Sequence, residues 1–205
     1  MARRTDTRRR MVAAAGALFR AQGYHATGLN QLVATGGAPK GSLYFHFPGG
    51  KEQLAVEAMR EAAAEIRDQL RAAGAAAPDP AGAIVLVIDG LAAELVGTDF
   101  RSGCPLATVA LDAASASEPI AAACREGYRS WRDTIAELLR EHGLGADRAA
   151  ALATVALSAV EGALLLARTE RDLSALNQVK EHLVTVLRAE HTAAAAMHTE
   201  EKERD

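Results

Sequence analysis

The aromatic residues of this chain are concentrated in one short segment. The sequence has eight aromatic side chains, and three of them lie in the four residues 44–47, which read Tyr-Phe-His-Phe. A Pro-Gly-Gly break and Lys51 follow directly. A phenol, a ring and an imidazole beside a lysine suit a DNA groove, because phenol and imidazole bind phosphate oxygens and ring faces contact thymine methyl groups.

A helix would sort these side chains into two faces. Leu43 and Phe47 form an i,i+4 pair, which we expect to face the core. The alternative is that all the aromatics pack internally, and for Tyr44 both readings stay open. Gly41 and Ser42 are small and would let the helix backbone approach base edges. The side chains expected to face outward are those of Lys40, Tyr44, Phe45 and His46.

Two further helices are predicted before this segment. Thr5 or Asp6 is expected to cap the first, and Thr27 the second, which ends at a Gly-Gly turn. Pro39 fits the first turn of the third helix, where its missing N–H costs nothing. Two helices joined by a short turn that contains glycine are typical of a helix-turn-helix.

The charge is divided unevenly along the chain. The net charge is −3, yet residues 1–51 contain eight basic residues and one acidic residue, against 15 basic and 25 acidic residues in the remainder. Such asymmetry indicates an N-terminal part that meets a polyanion. A solvated basic arm without a partner is the alternative.

Composition and periodicity predict an all-α fold. Alanine, leucine, arginine and glutamate dominate, and apolar residues recur at helical spacing. Six more helices are expected, the last ending near Glu190, and Asp147 and Asp172 are expected to cap the final two. The apolar run 149–167 approaches the length of a membrane span, but Glu161 and Gly162 interrupt it, so we favour a helix buried in a core or a dimer seam.

Several functional classes find no support in the sequence. The start has no apolar run behind its charges, so no secretory signal is expected and the predicted location is cytoplasmic. Cys104 and Cys124 form no Cys-x-x-Cys motif, and a redox switch is a minor alternative. We find no nucleophile–base pair, phosphate loop or metal-ligand spacing, so we expect no enzyme, cofactor or metal site.

The segment FRAQGYHATGLNQLVATGGAPKGSLYFHFPGGKEQL resembles the DNA-binding half of TetR-family transcriptional repressors. The Pro-Gly-Gly-Lys variant, with GCPLATVALD and EGALLLAR later in the chain, is similar to the subgroup that includes the LmrA and YxaF regulators. The resemblance implies nine helices, a DNA-binding domain over residues 1–50 and a ligand-binding and dimerisation domain over residues 51–205. It also implies a homodimer through residues 148–190 on a palindromic operator, released by a small-molecule effector.

The resemblance assigns the DNA-contacting residues by position. Lys51 matches the phosphate-anchoring lysine, and Asn30 a position on the second helix that often touches DNA. Gly28 and Pro39 depart from the usual serine, threonine or polar caps. The full predicted set is Arg3, Arg4, Thr27, Asn30, Lys40, Gly41, Ser42, Tyr44, Phe45, His46 and Lys51.

The effector site is predicted from the aromatics outside residues 1–50. A planar or apolar ligand would stack on such rings, with one carboxylate as a polar anchor. Ordinary core packing of Tyr128 and Trp131 is the alternative. The predicted residues are Phe100, Cys104, Tyr128, Trp131 and Glu161.

Small residues at near-helical spacing predict the dimer seam. They allow close helix approach, and they are Ala149, Ala153, Ala156, Ala159 and Ala163.

Two other functional classes remain open at this point. A DNA-binding architectural or activating protein would bind DNA that no small molecule releases, and an all-α enzyme or binding module would bind DNA weakly and without sequence preference.

Overall fold

The computed structural model describes the backbone of residues 2–39 and 41–202 and the side chains of residues 6–39 and 41–193. Within this part of the chain all regular structure is helical, which confirms the all-α prediction and its nine helices. The helices are α1 (Ala2–Gln22), α2 (Leu29–Thr35), α3 (Ser42–His46), α4 (Gly50–Ala76), α5 (Pro80–Gly97), α6 (Pro105–Ala113), α7 (Glu118–Glu141), α8 (Ala146–Glu170) and α9 (Ser174–Lys202).

Several predicted helix ends are wrong. The first helix begins at Ala2, ahead of the predicted caps Thr5 and Asp6. The residue at the N-cap of α8 is Gly145, and Asp147 lies inside the first turn. The last helix continues beyond Glu190 to Lys202. These errors share a cause, since an alanine-rich or arginine-rich flank has high helix propensity and extends a helix past a polar residue able to cap it.

Other ends follow the expected local chemistry. The Asp79 carboxylate caps α5 by accepting a hydrogen bond from Gly82 N at 2.6 Å, and Pro80 occupies the first turn, where it needs no hydrogen-bond acceptor. Asp172 Oδ1 accepts a hydrogen bond at 2.7 Å from the backbone N of Ser174, which is the first residue of α9. The hydrogen bonds to Ser174 also lower the pKa of the Asp172 carboxyl, because they favour its charged form.

The chain forms two compact units. Unit 1 comprises residues 1–65 and 102–129, and unit 2 comprises residues 66–101 and 130–205. The predicted domain boundary after residue 50 coincides with the start of α4, while unit 1 continues beyond it.

Unit 1 has a core built mainly from large apolar side chains. Phe19, Phe47 and Leu54 are fully buried there. Helix α1 packs on α6. Gly127 permits a close approach, because a Cβ at this position would lie 2.6 Å from Leu106 Cδ1 and 3.0 Å from Ala63 Cβ. A side chain at residue 127 of α7 would therefore push this helix away from α6 and α4.

Unit 2 packs α9 against both α5 and α8. Its core includes a cluster to which Leu139, Leu144, Leu152 and Leu187 contribute. Eight residues of α8 are buried within the subunit, and they recur at the one-, three- and four-residue steps of one helical face. This spacing places them on one helical stripe that faces the subunit's own core.

The predicted alanine seam is wrong for four of its five positions. Ala149, Ala153, Ala156 and Ala163 are each at most 5% exposed within a single subunit. They therefore pack mainly against helices of the same chain, although Ala163 also lines a groove between α8 and α9. Ala159 is half-buried and stays accessible.

Helices α5 and α8 are long and apolar enough, by length and composition alone, to cross a membrane. Core helices of soluble proteins meet the same criterion. The buried stripe of α8 is consistent with a helix that packs in a protein core, the interpretation that the sequence favoured for residues 149–167.

Candidate nucleic-acid interface

Helix α3 has the two faces that its sequence predicts. Leu43 is 1% exposed and Phe47 is 0% exposed, so the i,i+4 pair anchors the segment in the core. Tyr44 and Phe45 are each 60% exposed. An aromatic surface exposed to that extent is unusual for a residue type that normally buries most of its area, and it points to a binding role.

Smaller groups flank this aromatic surface. Gly41 is exposed, and Ser42 and His46 are half-buried. The rings of Phe45 and His46 meet edge to face, with centroids 5.1 Å apart. Lys40 lies outside the described residues. Arg3 and Arg4 belong to α1, but their side chains lie outside the described part of the chain.

The break after α3 is stabilised by a polar chain of contacts. Gly49 N donates to Gln53 Oε1 at 2.9 Å, and Gln53 Nε2 donates to Glu57 Oε1 at 3.1 Å. Glu57 in turn forms an ion pair with Arg8 of α1. The Arg8 guanidinium lies 5.3 Å from the centroid of the Phe47 ring. This arginine therefore serves the packing of the helix-turn-helix, a role that its place in the basic N-terminus did not reveal.

Other N-terminal charges are partly compensated. Arg9 and Arg10 lie 3.3 Å and 3.1 Å from the two carboxylate oxygens of Asp6. All three side chains are solvent-exposed, so these pairs contribute little to stability. They reduce the net positive charge of α1 without removing it.

Thr27 has a structural role in the turn before α2. Its side chain is 0% exposed, and its Oγ1 donates to Gly23 O at 2.6 Å and accepts from Gln22 Nε2 at 3.1 Å. The prediction that Thr27 caps α2 is wrong, because Gly28 occupies the N-cap and no side chain caps this helix. Its burial leaves no side-chain surface for DNA, so we remove Thr27 from the predicted contact set.

Asn30 lies in the first turn of α2 and is exposed. It shares this exposure with the neighbouring Gln31, whose Oε1 accepts from Gln22 Nε2 at 2.8 Å. The geometry thus leaves Asn30 accessible to a partner.

Lys51 is placed by an aromatic side chain. It lies in the first turn of α4, next to Gly50, whose φ of +66° belongs to the left-handed region. Its Nζ lies 4.2 Å from the centroid of the Tyr24 ring, a cation–π contact. Partial burial lowers the pKa of the Lys51 ammonium, and the Asp112 carboxylate acts in the opposite direction. Burial also raises the pKa of the Tyr24 phenol, with a further contribution from Glu52.

The predicted effector residues are divided between the two units. In unit 1, Cys104 caps α6 by accepting from Ala107 N at 3.4 Å, and its Sγ lies 3.9 Å from the Tyr128 hydroxyl. The other three residues belong to unit 2. Of the five predicted effector residues, the structure places Cys104 and Tyr128 in contact within unit 1.

In unit 2, Trp131 is 2% exposed on α7, as in the core-packing alternative. Glu161 is half-buried on α8. Phe100 is half-buried in the loop after α5 and has a φ of +56°. The Arg171 guanidinium lies 5.8 Å from the centroid of its ring.

Both cysteines are buried, and neither forms a disulfide. Burial raises the pKa of the Cys124 thiol from 9.0 to about 11. A neutral, inaccessible thiol is a poor nucleophile, so the geometry gives no support to Cys124 as a redox switch.

Comparison with known proteins identifies the family. Residues 11–58 match the family described as bacterial regulatory proteins, tetR family, and residues 80–182 match the LmrA/YxaF-like transcriptional regulator C-terminal domain. The chain is 38% identical over 183 residues to the HTH-type transcriptional regulator LmrA of Bacillus subtilis (strain 168), covering 89% of this chain and 97% of that protein. It is 37% identical over 188 residues to the uncharacterized HTH-type transcriptional regulator YxaF of the same organism, covering 92% and 98%.

A solved structure agrees with the sequence relatives. The crystal structure of a TetR transcriptional regulator from Chloroflexus aurantiacus J-10-fl has a TM-score of 0.73 at 30% identity, covering 90% of this chain and 96% of that one. The curated relatives are named as regulators and not as enzymes. The chain accordingly belongs to the TetR family of transcriptional regulators, with a C-terminal half of the LmrA/YxaF-like type.

Proposed function

We propose that this regulator is a cytoplasmic repressor that binds a palindromic operator as a homodimer and is released by a small apolar or aromatic effector. The observation that carries the DNA-binding part is the exposed Tyr44–Phe45 surface on a helix fixed by buried Leu43 and Phe47. Two such helices in a dimer would enter successive major grooves about 34–36 Å apart. Residues 1–50 form the proposed DNA-binding domain, and residues 51–205 the effector and dimerisation domain.

The contacts divide into two kinds. Lys51 and the exposed Asn30 are proposed to hold phosphates, which fixes the register of the protein without reading sequence. Lys40, Gly41 and Ser42 are proposed to lie at the base-reading start of α3, with Tyr44, Phe45 and His46 beside them. Arg3 and Arg4 are proposed as an N-terminal arm along the backbone or the minor groove.

An apolar groove on unit 2 supports dimerisation through residues 148–190. It has a volume of about 430 Å³ and is lined by α8 and α9. Leu165 and Leu166 on α8 are 60% and 50% exposed, and Val155 is 58% exposed. Apolar side chains exposed together along one helix indicate a surface that another molecule covers. We propose that a second copy of this chain covers it, because TetR-family regulators usually dimerise through these helices.

For the effector site we propose Cys104 and Tyr128, which lie together within unit 1, while Phe100, Trp131 and Glu161 of unit 2 stay predicted effector residues. The Cys104–Tyr128 contact offers a polar and polarisable surface to a ligand within unit 1. Trp131 is the sole tryptophan, so its emission reports a ligand bound nearby. If a compound releases the DNA while the emission stays unchanged, this placement is wrong.

The test of the proposed function is fluorescence anisotropy with the intergenic DNA upstream of the protein's own gene and a scrambled duplex of equal length. We expect tight binding that discriminates between the duplexes and survives moderate salt. Compounds are then screened for release of the DNA. Equal, strongly salt-dependent binding to both duplexes, followed by failure to select any sequence from random DNA, would contradict a specific repressor.

A further inference from the structure

A carboxylate outside the helix-turn-helix holds the turn between α1 and α2. Asp112, near the end of α6, accepts a hydrogen bond from His25 N through Oδ2 at 2.7 Å. The same oxygen lies 3.0 Å from the position that a Cβ on Gly23 would occupy. Gly23 has a φ of +85°, so the turn both needs glycine and leaves room for the carboxylate. The two partners are 87 residues apart in sequence.

The turn that Asp112 holds also supports two proposed DNA-contacting elements. Tyr24 lies between Gly23 and His25, and its ring packs against Phe19, with centroids 5.7 Å apart, and carries the Lys51 ammonium on its face. Thr27 closes the same turn by bonding to Gly23 O. Helix α2 starts two residues later. Displacement of the turn would therefore move Lys51 and the start of α2 together.

Asp112 also acts electrostatically on the lysine. Its carboxylate favours the charged form of Lys51, against the effect of partial burial. Towards DNA the same negative charge is unfavourable, because it repels phosphate. The hydrogen bond and the charge thus have opposite expected effects on DNA affinity, which allows an experiment to separate them.

We propose that Asp112 is a positioning residue for DNA binding, which orders the Gly23–Thr27 turn through its hydrogen bond to His25 N. The inference rests on the proposed operator binding. It assigns to α6 a direct influence on operator affinity, although α6 carries no proposed DNA contact. Helix α1 packs on α6, and the hydrogen bond of Asp112 fixes the turn that follows α1 to the same helix.

The test compares Asp112→Ala with Asp112→Asn. Alanine removes both the acceptor and the charge, while asparagine retains an acceptor oxygen and removes only the charge. Asp133→Ala, on an exposed part of α7, controls for loss of an aspartate elsewhere. Specific-duplex affinity is measured by anisotropy, and exchange of the His25 amide hydrogen is measured by NMR in the DNA-free protein.

In Asp112→Ala we expect about tenfold faster exchange at His25 and about five- to tenfold weaker specific binding, because a hydrogen bond to a charged acceptor is lost. In Asp112→Asn we expect affinity within about twofold of the unsubstituted protein, and slow exchange retained. Wild-type affinity in Asp112→Ala overturns the proposal. So does an Asp112→Asn variant as weak as Asp112→Ala, because the acceptor would then not be the cause.

The exchange measurement keeps this inference separable from the proposed function. If the unsubstituted protein fails to discriminate between duplexes, operator binding is wrong, and faster His25 exchange in Asp112→Ala still supports the positioning contact. Unchanged His25 exchange in Asp112→Ala overturns the positioning role whatever the DNA result. Far-ultraviolet circular dichroism and the thermal midpoint of each variant exclude general unfolding as the cause of weak binding.

Discussion

Lys51 is the cation that we propose to contact a phosphate, and its surroundings in the free protein suit that role. Its ammonium lies on the Tyr24 ring and is partly buried, so it has lost some hydration before DNA arrives. Its side chain is restricted by the ring, which reduces the conformational entropy that phosphate binding would cost. Placement at the first turn of α4, after the Gly49-Gly50 break, fixes its direction.

Lys51→Ala is expected to weaken binding to the specific and the scrambled duplex alike. A phosphate contact carries no sequence information, and its loss lowers the slope of log affinity against log salt by about one. Arg132→Ala is the control, because Arg132 is an exposed cation on α7 in unit 2, outside residues 148–190. Anisotropy titrations at four salt concentrations measure the slope. An unchanged slope in Lys51→Ala would remove this residue from the interface.

At the scale of elements, the end of α8 combines backbone strain with an ion pair. Arg171 caps α8 in the left-handed conformation, with φ of +56°, and two further residues with positive φ, Asp99 and Phe100, follow α5. The Arg171 side chain joins these segments by an ion pair with the Asp99 carboxylate and a hydrogen bond to Asp99 O at 3.3 Å. Non-glycine residues in this region are strained, so the junction has a cost that the contacts partly offset.

Arg171→Gly is expected to be more stable than Arg171→Ala by about 1 kcal/mol. Both variants lose the ion pair, which is exposed and contributes little, but only glycine relieves the left-handed strain. The difference corresponds to about 2–4 °C in thermal midpoint for a chain of this size. Arg171→Asn should fall between them, since asparagine tolerates this conformation. Scans at one fixed protein concentration measure it, and an alanine variant as stable as the glycine variant would contradict the strain argument.

At the scale of the whole molecule, the exposed apolar face of α8 is the surface through which we propose that two copies of the chain associate. The inner stripe of α8 is used within the subunit, so the opposite face, where Val155, Leu165 and Leu166 are exposed, is the one left for the proposed dimer. The groove between α8 and α9 continues this face. A monomer would leave that apolar area in water at a cost of about 25 cal/mol per Å².

Leu166→Glu is expected to convert a dimer to a species near 21.5 kDa in sedimentation equilibrium at micromolar concentration. A carboxylate buried in an apolar seam lacks hydration and a partner, which is strongly unfavourable. Leu111→Glu is the matched control, because Leu111 is 84% exposed on α6 and lies outside the proposed seam. A monomeric unsubstituted protein, or a Leu166→Glu variant that remains dimeric, would contradict association through this face.

The sequence alone determined the helices and the two faces of α3. Periodicity, prolines and glycine turns act over a few residues, so they predicted nine helices, and the i,i+4 spacing of Leu43 and Phe47 predicted which side is buried. Individual helix ends were predicted less well, since several residues near an end compete to cap it.

Only the tertiary structure decided which residues share a surface. Thr27 looks like a helix cap in sequence but is buried in a turn, and the alanines of α8 look like a seam but pack inside the subunit. The contact between Asp112 and His25 has no sequence signal, because the two residues are far apart in the chain. Local patterns predict the secondary structure of a residue and the contacts that its side chain is able to make. The packing of segments that are distant in sequence decides which of these contacts form.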